Sequence, residues 1–436
     1  MLQKFNYTYK EWFVAKLCTA ILWLFPVVTV VYKYKAQPFP DSICRLVNCS
    51  VITQQPYVYL ATGMAVILAI LYVFEKWMPF TLFLISVLSI VVFSLESSNG
   101  THASRNELLC MVFIAQLIAY IRYNFSGQKT KSATSPFAIA MFYSIQVIAA
   151  AYVITAITKL NTSGFNWVLN APSFAVRVIR PYNSMAIDFN NPALIEKGHH
   201  IANVILQHSA LIKFLFALVF ATELFAFISV FSKRNAKYYS ILLLLLHLGI
   251  FILFGGVIIN FAALTLIYLT NIPSFFIKQQ AESSRQSENF SFKNLAADIY
   301  ALSFCWLFII SSYIIGDHTP FSTYAMFSSA INSTDYFFVT DKRDTIITPL
   351  LKMRTVEVKD MVYAVAIKSG LDVNNDRALQ TIGGEALQQI ISRNQNNPEL
   401  FQLDSLKLYR HKIEIKNEAI KEENILLGAI QVQIHK

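Results

Sequence analysis

Eight apolar runs recur along the chain, each close to the ~20 residues that a helix needs to cross the hydrocarbon core of a bilayer. They cover residues 12–32, 57–74, 79–95, 108–123, 136–158, 210–231, 238–255 and 297–315. A shorter run, 257–269, is separated from its predecessor by Gly255-Gly256. Paired glycines favour a helix break, so a short return helix or re-entrant segment is expected there. In hydrocarbon a segment must satisfy its own backbone polar groups, which selects helices for runs of this length. Composition agrees: of 436 residues, 55% are hydrophobic and 14% charged, against about 25% charged in a soluble domain. A soluble enzyme, a disordered chain and a disulfide-rich secreted module are excluded. The expected fold is an all-α polytopic membrane domain of eight or nine transmembrane helices, residues 1–331, followed by a small α+β soluble domain, residues 332–436.

The formal net charge is +10, and the 14 Lys+Arg of residues 332–436 balance the 14 Asp+Glu there. The basic excess therefore lies in the membrane region, where it marks cytoplasmic loops. No basic-aromatic motif points to nucleic acid; the expected partner is the lipid bilayer. Arg122 stands at the end of the fourth run with Lys129 and Lys131 after it, and Lys233, Arg234 and Lys237 follow the sixth. Both loops are cytoplasmic if the N-terminus is. The expected location is the plasma (inner) membrane, with residues 1–12 leading into a retained anchor. Cys44 and Cys49 then share an outward-facing loop, where a disulfide is permitted. Two nearby thiols do not make a zinc site, and no metal is expected. If 257–269 returns across the bilayer, the tail is extracytoplasmic, and that is the orientation expected.

Residues 159–208 form a long outer loop. Ala193, Ile195, Ile201, Val204 and Ile205 give its second half an amphipathic face, consistent with a helix lying on a surface. In the tail, 336–340, 345–350, 405–415 and 426–434 read as strands, and 358–369 and 378–394 as helices, the second weakened by Gly383-Gly384. The tail shows no glycine-rich nucleotide loop and no Cys/His cluster.

An ionisable side chain at the centre of a span costs about 2.5–3.5 kcal/mol on insertion scales, so each one is a candidate for function. Lys159 closes the fifth run, Glu223 lies in the sixth and His247 in the seventh, with Gln116, Gln146 and Asn260 as neutral companions. A span-end lysine also snorkels, Glu223 also suits a structural ion pair, and a lone histidine also bridges helices. His199 and His200 follow Glu196, but helical spacing gives them no third metal ligand.

The stretch QVIAAAYVITAITKLNTSGFNW (146–167), Glu223-Leu224, and His247 within LLLLLHLGIFILFGG together resemble the HTTM family, the membrane domain shared with the vitamin K-dependent gamma-carboxylase. That family carries a Gln…Tyr…Lys-Leu…Trp signature, an acidic residue in the next span and a His-containing span that breaks at glycine. The resemblance covers roughly residues 10–275. It implies that Lys159 is a base acting on a quinol at the outer face, with Glu223 and His247 orienting partners. A lysine base must be neutral, and a poorly hydrated site disfavours an ammonium. The carboxylase pattern also has an Asn-His pair early in a preceding span. Here the position reads Arg105-Asn106, with Gln116 at the expected distance and His102 four residues early. With that histidine displaced and the large lumenal domain missing, glutamate carboxylation is not implied. Other HTTM proteins resemble bacterial factors that mature sporulation-delaying peptide toxins, and residues 318–328 resemble a partner protein of those systems. The resemblance thus implies a membrane-embedded enzyme that modifies a secreted peptide or uses a quinone cofactor. The alternative is a non-enzymatic assembly or export factor whose tail binds a partner protein.

Overall fold

The computed structural model describes residues 7–34, 40–99, 104–125, 135–254, 259–276, 303–316, 318–323, 333–394, 397–416 and 419–432. Both Gly255-Gly256 and the expected domain boundary at 331/332 lie outside them. The chain divides into two compact units: Met1–Gly164 with Leu218–Ile250 and Val257–Ser328, and Phe165–Ala217 with Phe251–Gly256 and Ser329–Lys436.

The first unit is helical. It contains α1 (Tyr9–Lys33), α2 (Tyr57–Val73), α3 (Met78–Ser97), α4 (Ser104–Phe125) and α5 (Pro136–Ser163). The one-turn α6 (Asn166–Leu169), α7 (Phe174–Asp188) and α8 (Ala193–Gln207) follow in the second unit. Then come α9 (Ser209–Leu224), α10 (Lys233–Phe254), α11 (Ile259–Leu264) with a π-helical turn at Thr265–Leu269, and α12 (Ser303–Ile315). Among the described residues, six helices are long and apolar enough to cross a membrane: α1, α3, α4, α5, α9 with its 3-10 extension, and α10. Among the described residues, three further apolar helices are shorter: α2, α11 with its π-helical turn, and α12. The 17 residues of α2 end before Glu75 (φ +57) and Trp77 (φ +48), whose left-handed backbone breaks the helix. The run at 257–269 changes to π geometry at Thr265.

Local chemistry sets the helix ends. Thr8 caps α1 in a reciprocal capping box with Glu11, satisfying two otherwise orphaned donors. Ser135 caps α5, Pro136 fills its first position, and Gly164 ends it at φ +57. Within its apolar window α5 is 94% buried, whereas α10 is 17% buried. The first core is therefore built around α5, and α10 presents most of its apolar surface outward.

The second unit is a three-layer structure. Strands β1 (Ser333–Thr340), β2 (Ser405–Lys416) and β3 (Ala419–Gln431) form an antiparallel sheet in the order β1-β2-β3. Side chains alternate between its faces. Phe337, Val339, Leu406 and Leu408 pack against α13 (Thr355–Lys368) and α14 (Asp376–Arg393). Tyr336, Phe338 and Ile413 pack against Val178, Ile179 and Tyr182 of α7 and Ala202 and Ile205 of α8. A helix does form in the second half of the long loop, but it buries Gly198, Ala202 and Ile205, whereas Ala193, Ile195 and Val204 of the expected apolar face are exposed. The Gly383-Gly384 step lies inside α14 for a packing reason. A Cβ on Gly383 would stand 2.2 Å from the Leu427 carbonyl oxygen, where α14 meets β3 backbone to backbone. Residues 345–350 form no strand: only Ile346 bridges to Thr340, and turns at Asp344 (φ +60) and Lys352 (φ +51) bracket the segment.

Candidate functional site

The last turns of α5 bring Lys159 against Glu223 of α9, and the two form an ion pair with side chains 4% and 5% exposed. Removing two charges from water costs several kcal/mol per ion, recovered only by close pairing. Beside Lys159, Thr158 donates to the Thr323 carbonyl at 2.7 Å and lies 2.8 Å from the Tyr313 hydroxyl of α12. Tyr313 donates in turn to the Ile154 carbonyl.

Two turns earlier on α5, the Tyr152 hydroxyl lies 2.7 Å from His247 Nε2 and 2.9 Å from Thr265 Oγ1. Phe261 sets its ring edge-on to Tyr152 at 5.6 Å and tilted to His247 at 6.3 Å. His247 is buried, and its Nδ1 has no hydrogen-bond partner. The Glu223 carboxylate acts electrostatically on the Tyr152 hydroxyl, so the ion pair and the tyrosine–histidine pair share one neighbourhood.

Asn106 lies elsewhere in the unit. It donates to Glu96 at 2.7 Å and accepts from Asn260 at 2.7 Å. The Arg105 side chain and His102 lie outside the described residues. Next to Asn106, Glu107 accepts from Thr319. The Thr319 amide donates to Ser42, and His318 meets Asp41 at 3.2 Å. Cys44 and Cys49 are disulfide-bonded in this loop, with Cα atoms 5.4 Å apart. The 318–323 segment thus links the Lys159 end of α5, through Thr158 and Thr323, to the disulfide loop. The structure brings Lys159 together with Glu223, places His247 on Tyr152, and sets Asn106 between Glu96 and Asn260.

A second buried charged set escapes sequence reasoning. Lys16 of α1 is fully buried, 3.0 Å from Glu75 and donating to the Val73 carbonyl at 2.8 Å. Trp12 donates to Glu75 as well, and Asn271 donates to Glu11 at 2.6 Å. The signal was a lysine four residues into the first apolar run. Gln116 accepts from Tyr72 at 2.8 Å and donates to Tyr268 at 2.9 Å, while Gln146 accepts from the Cys305 amide in the first turn of α12. Among the described residues, no group of three or more His, Cys, Asp or Glu is placed to hold a metal ion.

Scans against models of protein families, curated proteins and solved structures return no match.

Proposed function

We propose that the chain is an HTTM-type integral membrane protein of eight or nine transmembrane helices. In this reading it lies in the plasma (inner) membrane, with the N-terminus cytoplasmic and the C-terminal domain outside. It is a membrane-embedded enzyme in which Lys159 acts as the base on a secreted peptide or a lipid-soluble quinol. The supporting observation is the buried Lys159–Glu223 pair. Transfer of one proton within such a pair yields a neutral amine and a neutral carboxylic acid. The amine then accepts a proton from substrate, and the carboxyl group can return one to product. Tyr152, held by His247 and Thr265, supplies a hydroxyl for orienting a substrate oxygen.

The test compares wild type with the double variant Lys159→Met/Glu223→Gln, which removes both charges together and so leaves no unpaired buried ion. A folded double variant that has lost the modification of its substrate fits the reading. A folded double variant that retains it overturns the reading.

The three-layer second unit, with a core on each sheet face, supports the alternative of an assembly or export factor. Deleting 332–436 would strip the apolar faces of α7 and α8, so surface substitutions on α14 or β3 are the sounder probe. Loss of function from these alone, with the double variant silent, favours that alternative.

A further inference from the structure

His199, Glu422 and His411 come together from α8, β3 and β2, and the proposed activity uses none of them. One carboxylate oxygen of Glu422 lies 2.9 Å from His199 Nε2, and the other lies 2.7 Å from His411 Nε2. The remaining ring nitrogen of His411, Nδ1, lies 2.6 Å from Asn424 Oδ1. A neutral imidazole has a single N–H to donate. His411 presents both nitrogens to oxygen acceptors, and only the imidazolium donates to both. We propose that these residues form a proton-operated clamp, which fastens α8 to the sheet while the imidazoles are charged and loosens it when they are neutral. The clamp is independent of the Lys159 reading.

The groups facing Glu422 come from every neighbouring element. They are His199 from α8, His411 from β2, Asn424 from β3 itself, and Tyr336 from β1, whose ring packs on His411 at 4.6 Å. From α7, Asn183 hydrogen-bonds Tyr336 and brings no charge. Lys421 and Glu423 flank Glu422 in sequence and project to the opposite face by strand alternation. Burial opposes ionisation of Glu422, but the His411 hydrogen bond and the charges of His199 and His411 outweigh it and hold the carboxyl below the usual carboxylate range. With the carboxyl held low, a pH response of the clamp near neutrality reports on its imidazoles rather than on Glu422.

Hydrogen exchange of the full-length protein in detergent tests this, from pH 5 to 8 with correction for intrinsic exchange. Protection of α8 should fall about threefold relative to α14 between pH 5 and pH 8, as a partly exposed ion pair gives way to a neutral hydrogen bond. Glu422→Gln, which keeps the shape and removes the charge, should exchange α8 quickly throughout and show no step. Flat α8 protection in the wild type, or an undiminished step in Glu422→Gln, would overturn the clamp.

Discussion

Lys159 and Glu223 form an ion pair between two apolar helices, with both side chains at or below 5% exposure. Losing one partner leaves an uncompensated buried charge, which typically costs about 3–5 kcal/mol. Lys159→Met and Glu223→Gln should each destabilise the protein on that scale. The double variant should recover most of the loss, as measured by unfolding in mixed micelles. Additive losses in the double variant would contradict the pairing.

Lys16 makes the same argument in α1. Lys16→Met strips a cation from Glu75 and a donor from the Val73 carbonyl, at the turn that ends α2. A loss of about 1–3 kcal/mol is expected, smaller than for Lys159 because Glu75 is partly exposed and keeps its Trp12 donor. Lys10→Met, on the exposed side of the same helix, should change stability by less than about 0.5 kcal/mol. Equal effects at the two positions would contradict the burial of Lys16.

Adjacent glycines of α14 should respond in opposite directions. Gly383→Ala forces a methyl group onto the Leu427 carbonyl, so α14 and β3 must separate, at a cost of about 3 kcal/mol. Gly384→Ala meets nothing within 4 Å and should gain up to about 1 kcal/mol of helix propensity. Thermal unfolding of the second unit, followed by hydrogen exchange, ranks the two.

Asp335 sets an acid limit on that unit. It accepts from Arg410 Nε at 2.9 Å and from the Tyr363 hydroxyl at 3.0 Å, and pairs with Lys359. Burial pushes its carboxyl up, but Lys359 and Arg410 outweigh burial and hold it below the ordinary carboxylate range. A carboxylate depressed on folding contributes stability above its unfolded pKa and loses it as pH falls through the folded one. Protection of β1 should therefore fall as pH drops below about 4. Asp335→Asn should be less stable at neutral pH and should lose part of this acid dependence. An unchanged acid dependence would remove Asp335 from the account.

The apolar runs are legible in the sequence because hydropathy is a local property of the chain, whereas the caps Thr8 and Ser135 emerge only from the structure. Lys159, Glu223 and His247 are visible as costly residues in apolar runs. Their partners are not, because the packing of α5 against α9 and α10 sets which side chains meet. Lys16 is hidden because a lysine near the start of a span reads as an interfacial anchor. The spacing in α8 marks an amphipathic helix without saying which residues are covered: Ile205 is buried while Ile195 and Val204 stay exposed, and that emerges only from the fold. The β-branched run at 345–350 looks like a strand until the turns at Asp344 and Lys352 are seen.

Lys159 as a base is tested most directly by mass spectrometry of the small molecules and peptides that co-purify with the detergent-solubilised protein, comparing wild type with Lys159→Met/Glu223→Gln. A quinone or a modified peptide present with the wild type should be lost or altered in a folded double variant. An identical profile from both proteins would contradict it and leave the pair a purely structural role.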